Sequence, residues 1–437
     1  MSGKNFTLKY GKGTLSFEIS AGRLLYEIVG SNLPAVSDLA QDYLYALDHP
    51  IDSAPLSERV KPGERVAIVV SDITRAWQRN DETLPLLIDY LNRAGIRDRD
   101  IIIIIGVGAH RPNTRDEFVE LCSREICHRV RVVNHDAWQI ENMVYLGKTS
   151  RGTEVAVNRI AAEADRLILT GGVIYHYMAG FGGGRKSILP GVAALKTIQQ
   201  NHLLALTDRV GGGTNPKSAS AVTIGNSMHE DMMEIAAFAK PDFLINVVPN
   251  LDGDIAGIFT GNCVSAWLQA CQLVEEIYGV IIEEKADIVI ASAGGYPRDI
   301  NLYQSQKTID NATYAMKMGG VAIILAQCPL IQDPPEFFEW FENKDLYSLE
   351  KAARENFLIS GWLAVKQLEY KQMGSMILVT DPANLKLAAK AHMEPVVDMT
   401  AALELAYARC ENMNPTITVM PQGANTLPIF KGGSKTA

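Results

Sequence analysis

Residues 65–75 read RVAIVVSDITR, an unbroken apolar run from Val66 to Val70 followed at once by Asp72, Thr74 and Arg75. A short run with no polar residue on either face suits a strand buried on both sides. Reactive side chains directly after it suit a ligand site at the strand's carboxyl end. The pattern recurs outward from this stretch, with strands expected at Asp100–Gly106, Arg129–Asn134, Arg166–Gly172 and Phe243–Val248. Between them, ETLPLLIDYLNRAG (82–95) and RDEFVELCSREI (115–126) space their apolar residues as amphipathic helices do.

The rhythm resumes with ADIVIASAGG (286–295), GGVAIILAQC (319–328), GSMILVT (374–380) and TITVMP (416–421), separated by helical segments such as SLEKAARENF and TAALELAYARC. The prediction is therefore an α/β protein of two domains, each with a mainly parallel sheet covered by helices, and a cofactor cleft between them. The boundary is expected near Gly279–Lys285, giving domains 1–280 and 281–410, with the tail 411–437 packing back on the first. An opening hairpin is expected over 6–19, around Gly11-Lys12-Gly13.

A chain of 437 residues is long enough for two cores. Its formal net charge of -9, with no block of Lys or Arg, argues against nucleic acid and anionic membranes as partners. No apolar run approaches the roughly 20 residues that span a bilayer. The first ten residues carry no secretory h-region, and six scattered cysteines lack CxxC spacing. A cytoplasmic protein with reduced thiols is expected.

The strand ends hold the candidate chemistry. After the first come Asp72, Thr74 and Arg75; after the second, GVGAHRPNT brings His110; after the third, VVNHDAW brings His135 and Asp136. After the fourth, LILTGGVIYHYMAGFGGGRKSILPG (167–191) brings His176 and Lys186 around a glycine-rich turn. His202 follows Ile198 by four and Leu195 by seven residues, on the apolar face of a helix. On the residues alone His202 reads as a packed core histidine and His135 as the holder of a turn. His110 and His176 stand open between packing and catalysis, since both lie on glycine-containing loops after buried strands.

Two glycine patterns fall short of nucleotide motifs. Gly106-Val-Gly108-Ala-His-Arg lacks the third glycine of a dinucleotide fingerprint. In Gly180-Phe-Gly-Gly-Gly-Arg-Lys-Ser187, Arg185 stands where a phosphate loop needs glycine, and Ile-Leu-Pro-Gly replaces the helix start. What remains is a backbone that lets a large group approach Lys186. No HExxH, paired Cys or His-x-His is present, so a metal would have to arrive mostly ligated.

Taken together, these segments resemble the lactate racemase family. The resemblance rests on Asp72-Ile-Thr-Arg75, Gly108-Ala-His110-Arg-Pro, Asn134-His-Asp136, His176 with Gly182-Gly-Gly-Arg-Lys-Ser-Ile-Leu-Pro-Gly191, Asn201-His202, and Gly294-Gly-Tyr-Pro-Arg-Asp-Ile-Asn-Leu-Tyr-Gln304-Ser-Gln-Lys307. It implies a racemase or epimerase of a small 2-hydroxy acid that transfers hydride to a covalently bound nickel-pincer nucleotide, the nickel held through two sulfurs and one ring carbon. Lys186 would tether the cofactor and His202 would ligate nickel. His110 and His176 would be opposed acid/bases, and Asp72 and Thr74 would contact the nucleotide. Arg75, Tyr303, Gln304 and Lys307 would grip the substrate carboxylate. Partners implied are the substrate and the proteins that make and load the cofactor; assembly into a homo-oligomer is compatible.

Here Ala76-Trp77 follow Arg75 where the family usually shows proline, which leaves substrates larger than lactate open. The main rival is a nicotinamide-dependent 2-hydroxy acid dehydrogenase. A zinc hydrolase using His110, His135 and His176, and a non-enzymatic binding protein, are the others.

Overall fold

The computed structural model describes residues 4–342 and 345–431. The chain divides into two compact units, one of Asn32–Ala205 with Pro216–Ile277, the other of Met1–Ser31, Leu206–Asn215 and Tyr278–Ala437. Among the described residues no helix is long and apolar enough to cross a membrane.

The first unit holds a six-stranded sheet in the order Ile255–Gly261, Phe243–Pro249, Arg166–Gly172, Val66–Ser71, Ile101–Gly106, Arg131–Asn134. Every neighbouring pair is parallel except the first. The expected strands are therefore present, and Val66–Val70 is buried throughout. Helix Asn80–Arg93 lays Leu84, Leu87, Ile88 and Leu91 on this sheet, in one core with Val66, Ile68, Val70 and Ile103. Each such side chain contributes about 1.5–3 kcal/mol by leaving water. Thr114 starts the next helix, Arg115–Cys122, with a capping box closed by Glu117. The antiparallel edge strand Ile255–Gly261 was not expected. It returns through a tight turn in which Asn250 Oδ1 accepts from the Asp252 and Asp254 backbone N–H groups, too short for a crossover helix.

The second unit holds a fully parallel sheet in the order Glu394–Val396, Gly374–Val379, Met316–Leu325, Ala286–Ser292, Thr416–Met420, Arg23–Glu27. The observed division differs from the expected one in two respects. Residues 1–31 group with this unit and not with 32–277, because Arg23–Glu27 pairs with Thr416–Val419 and the hairpin inserts Phe6, Leu8, Phe17 and Ile19 into the core around Ile288, Ile290 and Val321. The tail, expected to pack on the first unit, groups with the second over its described residues. Thr416–Met420 is buried along its length between two strands of the second, and Leu427–Phe430 pairs with Gly279–Ile282. A fully buried strand needs a neighbour on both sides, and its own sequence does not name them. Residues 432–437 lie outside the described residues.

Candidate functional site

In the first unit the chain builds Val66–Ser71, then Ile101–Gly106 and Arg131–Asn134 to one side, then Arg166–Gly172 and Phe243–Pro249 to the other. The loops leaving Val66–Ser71 and Arg166–Gly172 must diverge, which opens a crevice at their carboxyl ends. The candidate residues stand on these loops.

Asp72 caps the 3-10 turn Ile73–Gln78. Its Oδ1 accepts from Thr74 N at 3.1 Å and Thr74 Oγ1 at 2.5 Å, while its Oδ2 lies 2.6 Å from His110 Nδ1. Burial pushes this carboxyl up, but the bond and charge of His110, then Thr74 and Arg75, outweigh it and hold Asp72 below the usual carboxylate range. An ionised Asp72 accepts a hydrogen bond from Nδ1–H of His110, which in the neutral ring leaves the lone pair on Nε2. Arg75 donates Nη1 to Thr74 O and Oγ1, each at 3.1 Å, and among the described residues no carboxylate lies within ion-pair distance of it.

The His110 loop is docked on the glycine-rich segment. Gly108 N donates to Gly191 O at 3.0 Å, and at φ +56 a Cβ on Gly108 would stand 3.0 Å from the Pro190 ring. Gly108 thus serves close packing against Pro190, not the approach of a dinucleotide.

His176 lies on a two-residue strand paired with Gly180–Phe181. Its Nδ1 accepts from Met178 N and Ala179 N, each at 3.2 Å, and its Nε2 lies 3.1 Å from Lys186 Nζ. A neutral ring that accepts at Nδ1 carries its proton on Nε2. Burial first, then the charges of Arg185 and Arg75, pull the Lys186 amine well below its ordinary range. His202, on helix Leu195–Leu203, is buried with Nδ1 2.9 Å from Ile198 O. Burial, then Lys186, lowers it to about 3, so it is neutral with its lone pair on Nε2.

His135 is different. Nε2 lies 2.9 Å from Ala193 O and Nδ1 3.2 Å from Asn158 Nδ2, so both nitrogens serve the fold. Among the described residues no group of three or more His, Cys, Asp or Glu could hold a metal.

Residues 10–212 match the family described as lactate racemase N-terminal domain, and residues 281–427 the lactate racemase C-terminal domain. The lactate racemase of Thermoanaerobacterium thermosaccharolyticum is 32% identical over 432 residues, 97% of this chain and 99% of that protein. That of Lactiplantibacillus plantarum is 32% identical over 435 residues, 96% of this chain and 98% of its own. This chain belongs to the lactate racemase family. It is a racemase, hence an isomerase. The solved lactate racemase apoprotein from T. thermosaccharolyticum superposes with a TM-score of 0.88, covering 98% of this chain and 100% of that one. A Thermotoga maritima protein of 16% identity shares the fold at a TM-score of 0.64, covering 92% of this chain and 100% of its own.

In this racemase Asp72, Thr74, Arg75, His110, His176, Lys186 and His202 all belong to the first unit. Tyr303, Gln304 and Lys307 belong to the second, on the opening turns of helix Leu302–Ala315. Asn301 caps that helix through Gln304 N at 2.8 Å, and Lys307 Nζ donates to Gln304 Oε1 at 3.3 Å. Tyr303 stands edge-on to Phe337, its phenol pushed up to about 12 by burial and then Glu336.

Two residues went unread in the sequence, and a third, Arg185, was read only as a break in a glycine motif. Asn246, buried in the strand Phe243–Pro249, accepts from Gly184 N at 2.9 Å. Asn226 caps helix Ser227–Ala239 and reaches Met178 O at 2.9 Å. Arg185 is buried under the glycine turn beside Trp267. An amide inside the apolar run FLINVVP was a usable signal for Asn246, because buried polar side chains need a partner.

Proposed function

We propose that the enzyme racemises a 2-hydroxy acid, lactate or a larger relative, in the cytoplasm, using a nickel-pincer nucleotide loaded by separate maturation proteins. Two curated relatives named lactate racemase, each matched over nearly its full length, support the reaction class. The observation that carries the rest is a lysine amine 3.1 Å from the His176 imidazole, together with a buried His202 ring whose Nδ1 is committed to Ile198 O at 2.9 Å.

The residues fit the group. A lysine kept below its ordinary range is a competent nucleophile toward an acyl or thioacyl carbon, so Lys186 would form the tether. An imidazole Nε2 whose Nδ1–H is spent on a backbone carbonyl is the usual form of a metal-ligating histidine. His202 would therefore be the protein's ligand to nickel, a metal that imidazole suits. When bound, that group supplies the acceptor for the C2 hydride.

Arg75, with no carboxylate within ion-pair distance among the described residues, would take the substrate carboxylate, helped by Tyr303, Gln304 and Lys307. His110, held by Asp72 with its lone pair at Nε2, would remove the hydroxyl proton. After the planar keto acid turns over, the hydride would return to the opposite face of C2 while His176 gives a proton to the oxygen, and the two imidazoles re-equilibrate with solvent. Base catalysis of this kind contributes roughly 10²–10⁴-fold. Asp72 has both oxygens engaged within the protein, so its contribution is to orient His110, with Thr74 bordering the nucleotide.

The test is intact-mass spectrometry and chiral chromatography on chain co-expressed with maturation proteins. A mononucleotide-sized adduct on Lys186, nickel, and conversion of one enantiomer to the racemate are expected. Full activity without an adduct, or turnover that needs added nicotinamide, would overturn the proposal.

A further inference from the structure

Arg185 is 3% exposed, and among the described residues no carboxylate pairs with it. A guanidinium buried without a counter-ion is costly and needs a compensating set of acceptors. Here the acceptors are backbone. Nη2 donates to Ala179 O at 2.7 Å, and Nη1 to Gly182 O and Gly183 O, each at 3.3 Å. The face of Trp267 lies 4.3 Å away and supplies a cation–π contact, while Trp267 Nε1 donates to Gly182 O at 2.8 Å.

The same turn faces His176 with its donors. The peptide between Met178 and Ala179 has its carbonyl held by Asn226 Nδ2 at 2.9 Å, and its N–H donates to His176 Nδ1 at 3.2 Å. Asn226 is fully buried, and its Oδ1 also accepts from His229 N at 3.2 Å. The peptide therefore sits in a chain of hydrogen bonds running from Asn226 to the imidazole, in which each bond polarises the next. Arg185 fixes the following carbonyl, at Ala179.

We infer that Arg185 and Asn226 are positioning residues for His176, clamping the 178–179 turn so that its amides force Nδ1 to accept and Nε2 to carry the proton. His110 is set the opposite way by Asp72, so the two imidazoles of the proposed reaction are held as complementary tautomers by unrelated devices. The inference deepens the reading of His176 as a proton-exchanging group, but its test needs neither cofactor nor turnover.

The experiment is long-range nitrogen–proton NMR on the unloaded chain with labelled histidine, the His176 signals being those lost in His176→Asn. In the wild type, Nδ1 of His176 should resonate as an unprotonated nitrogen, with the proton on Nε2, across neutral pH. Arg185→Lys keeps the charge but loses the fork. Asn226→Ser keeps a capping oxygen for His229 N–H but lacks the amide that reaches Met178. Both variants should give a mixture of tautomers at His176 while His49, His128 and His392, away from the turn, keep their shifts. A wild-type His176 protonated at Nδ1 would overturn the inference without any variant. So would folded Arg185→Lys and Asn226→Ser chains that both keep the wild-type tautomer. Either result leaves the proposed cofactor chemistry intact, because that reading stands or falls on the Lys186 adduct.

Discussion

Asp72→Asn isolates the orientation of His110 from everything else at the site. Asp72 Oδ1 accepts two donors from Thr74, its N–H and its hydroxyl. An asparagine must keep its single oxygen there, so its amide NH2 turns to His110 Nδ1. That nitrogen then has to accept, the proton moves to Nε2, and the lone pair that should take the substrate proton is gone. The bond lost is a charge-assisted contact of 2.6 Å between Asp72 and His110. Such a bond contributes about 1.5–3 kcal/mol to orientation. Loss of the base itself costs on the order of 10²–10⁴-fold, so kcat should fall by roughly 10³, about 4 kcal/mol at 1.36 per tenfold. The assay is chiral chromatography of a 2-hydroxy acid started from each enantiomer, with nickel and adduct measured on the same sample to normalise for loading. A fully loaded variant within about threefold of wild type, less than one tenfold step, would refute the reasoning. The pH window is set by sign. Asp72 is held below its unfolded value, so its contribution is present above about pH 4 and fades only as pH falls through the folded value. Activity lost between pH 7 and pH 5 therefore has another source.

Gly172→Ala would put a Cβ 2.3 Å from the Trp77 ring, an overpacking cost of about 1–3 kcal/mol in urea unfolding; adding Trp77→Leu should recover most of it, and additive losses would contradict the contact. His202→Ala should release nickel while keeping the adduct mass on Lys186, whereas Lys186→Ala should lose both, read by metal analysis and intact mass. Asp287, which accepts from Thr416 N and Oγ1 and from Lys317, is raised by burial but brought down to about 2 by these partners. It should contribute about 2 kcal/mol above pH 4, lost as pH falls from there toward 2, and Asp287→Asn should flatten that part of the acid unfolding curve.

The parallel sheet of the first unit was legible because its strands are buried on both faces, and continuous apolar runs such as IIIII at 101–105 have few other uses. Edge elements were not. Ile255–Gly261 has a mixed burial pattern and carries little signal of its own. The grouping of residues 1–31 with the second unit depends on a strand pairing across nearly four hundred residues, which no local pattern encodes. At the site, His110, His176 and Lys186 were readable because they follow strands directly. Arg185 was read only as the residue that breaks a phosphate loop, since sequence shows a side chain's type and not which carbonyls it meets. His135 and His202 both read as structural histidines in sequence, the first holding a turn and the second packed on an apolar helix face. The structure separates them by the use of their nitrogens, both of His135 committed to the fold and Nδ1 of His202 to Ile198 O.

That last contact explains why sequence alone favours packing at position 202. A bond from Nδ1–H to the carbonyl four residues back is what any core histidine on a helix would make, and it is also what orients a metal ligand. What distinguishes this ring is its field. A histidine merely filling space would gain nothing from a nearby cation, yet Lys186 adds to burial in keeping His202 unprotonated. Lys186 in turn is kept from charging by burial, Arg185 and Arg75. Burial and neighbouring cations thus lower both the Lys186 amine and the His202 imidazole. The proposed cofactor, held through one covalent bond and one dative bond, would need two lone-pair donors. On the proposed function, the buried cation Arg185 serves both ends, holding the turn that orients His176 and helping to lower the neighbouring Lys186 amine.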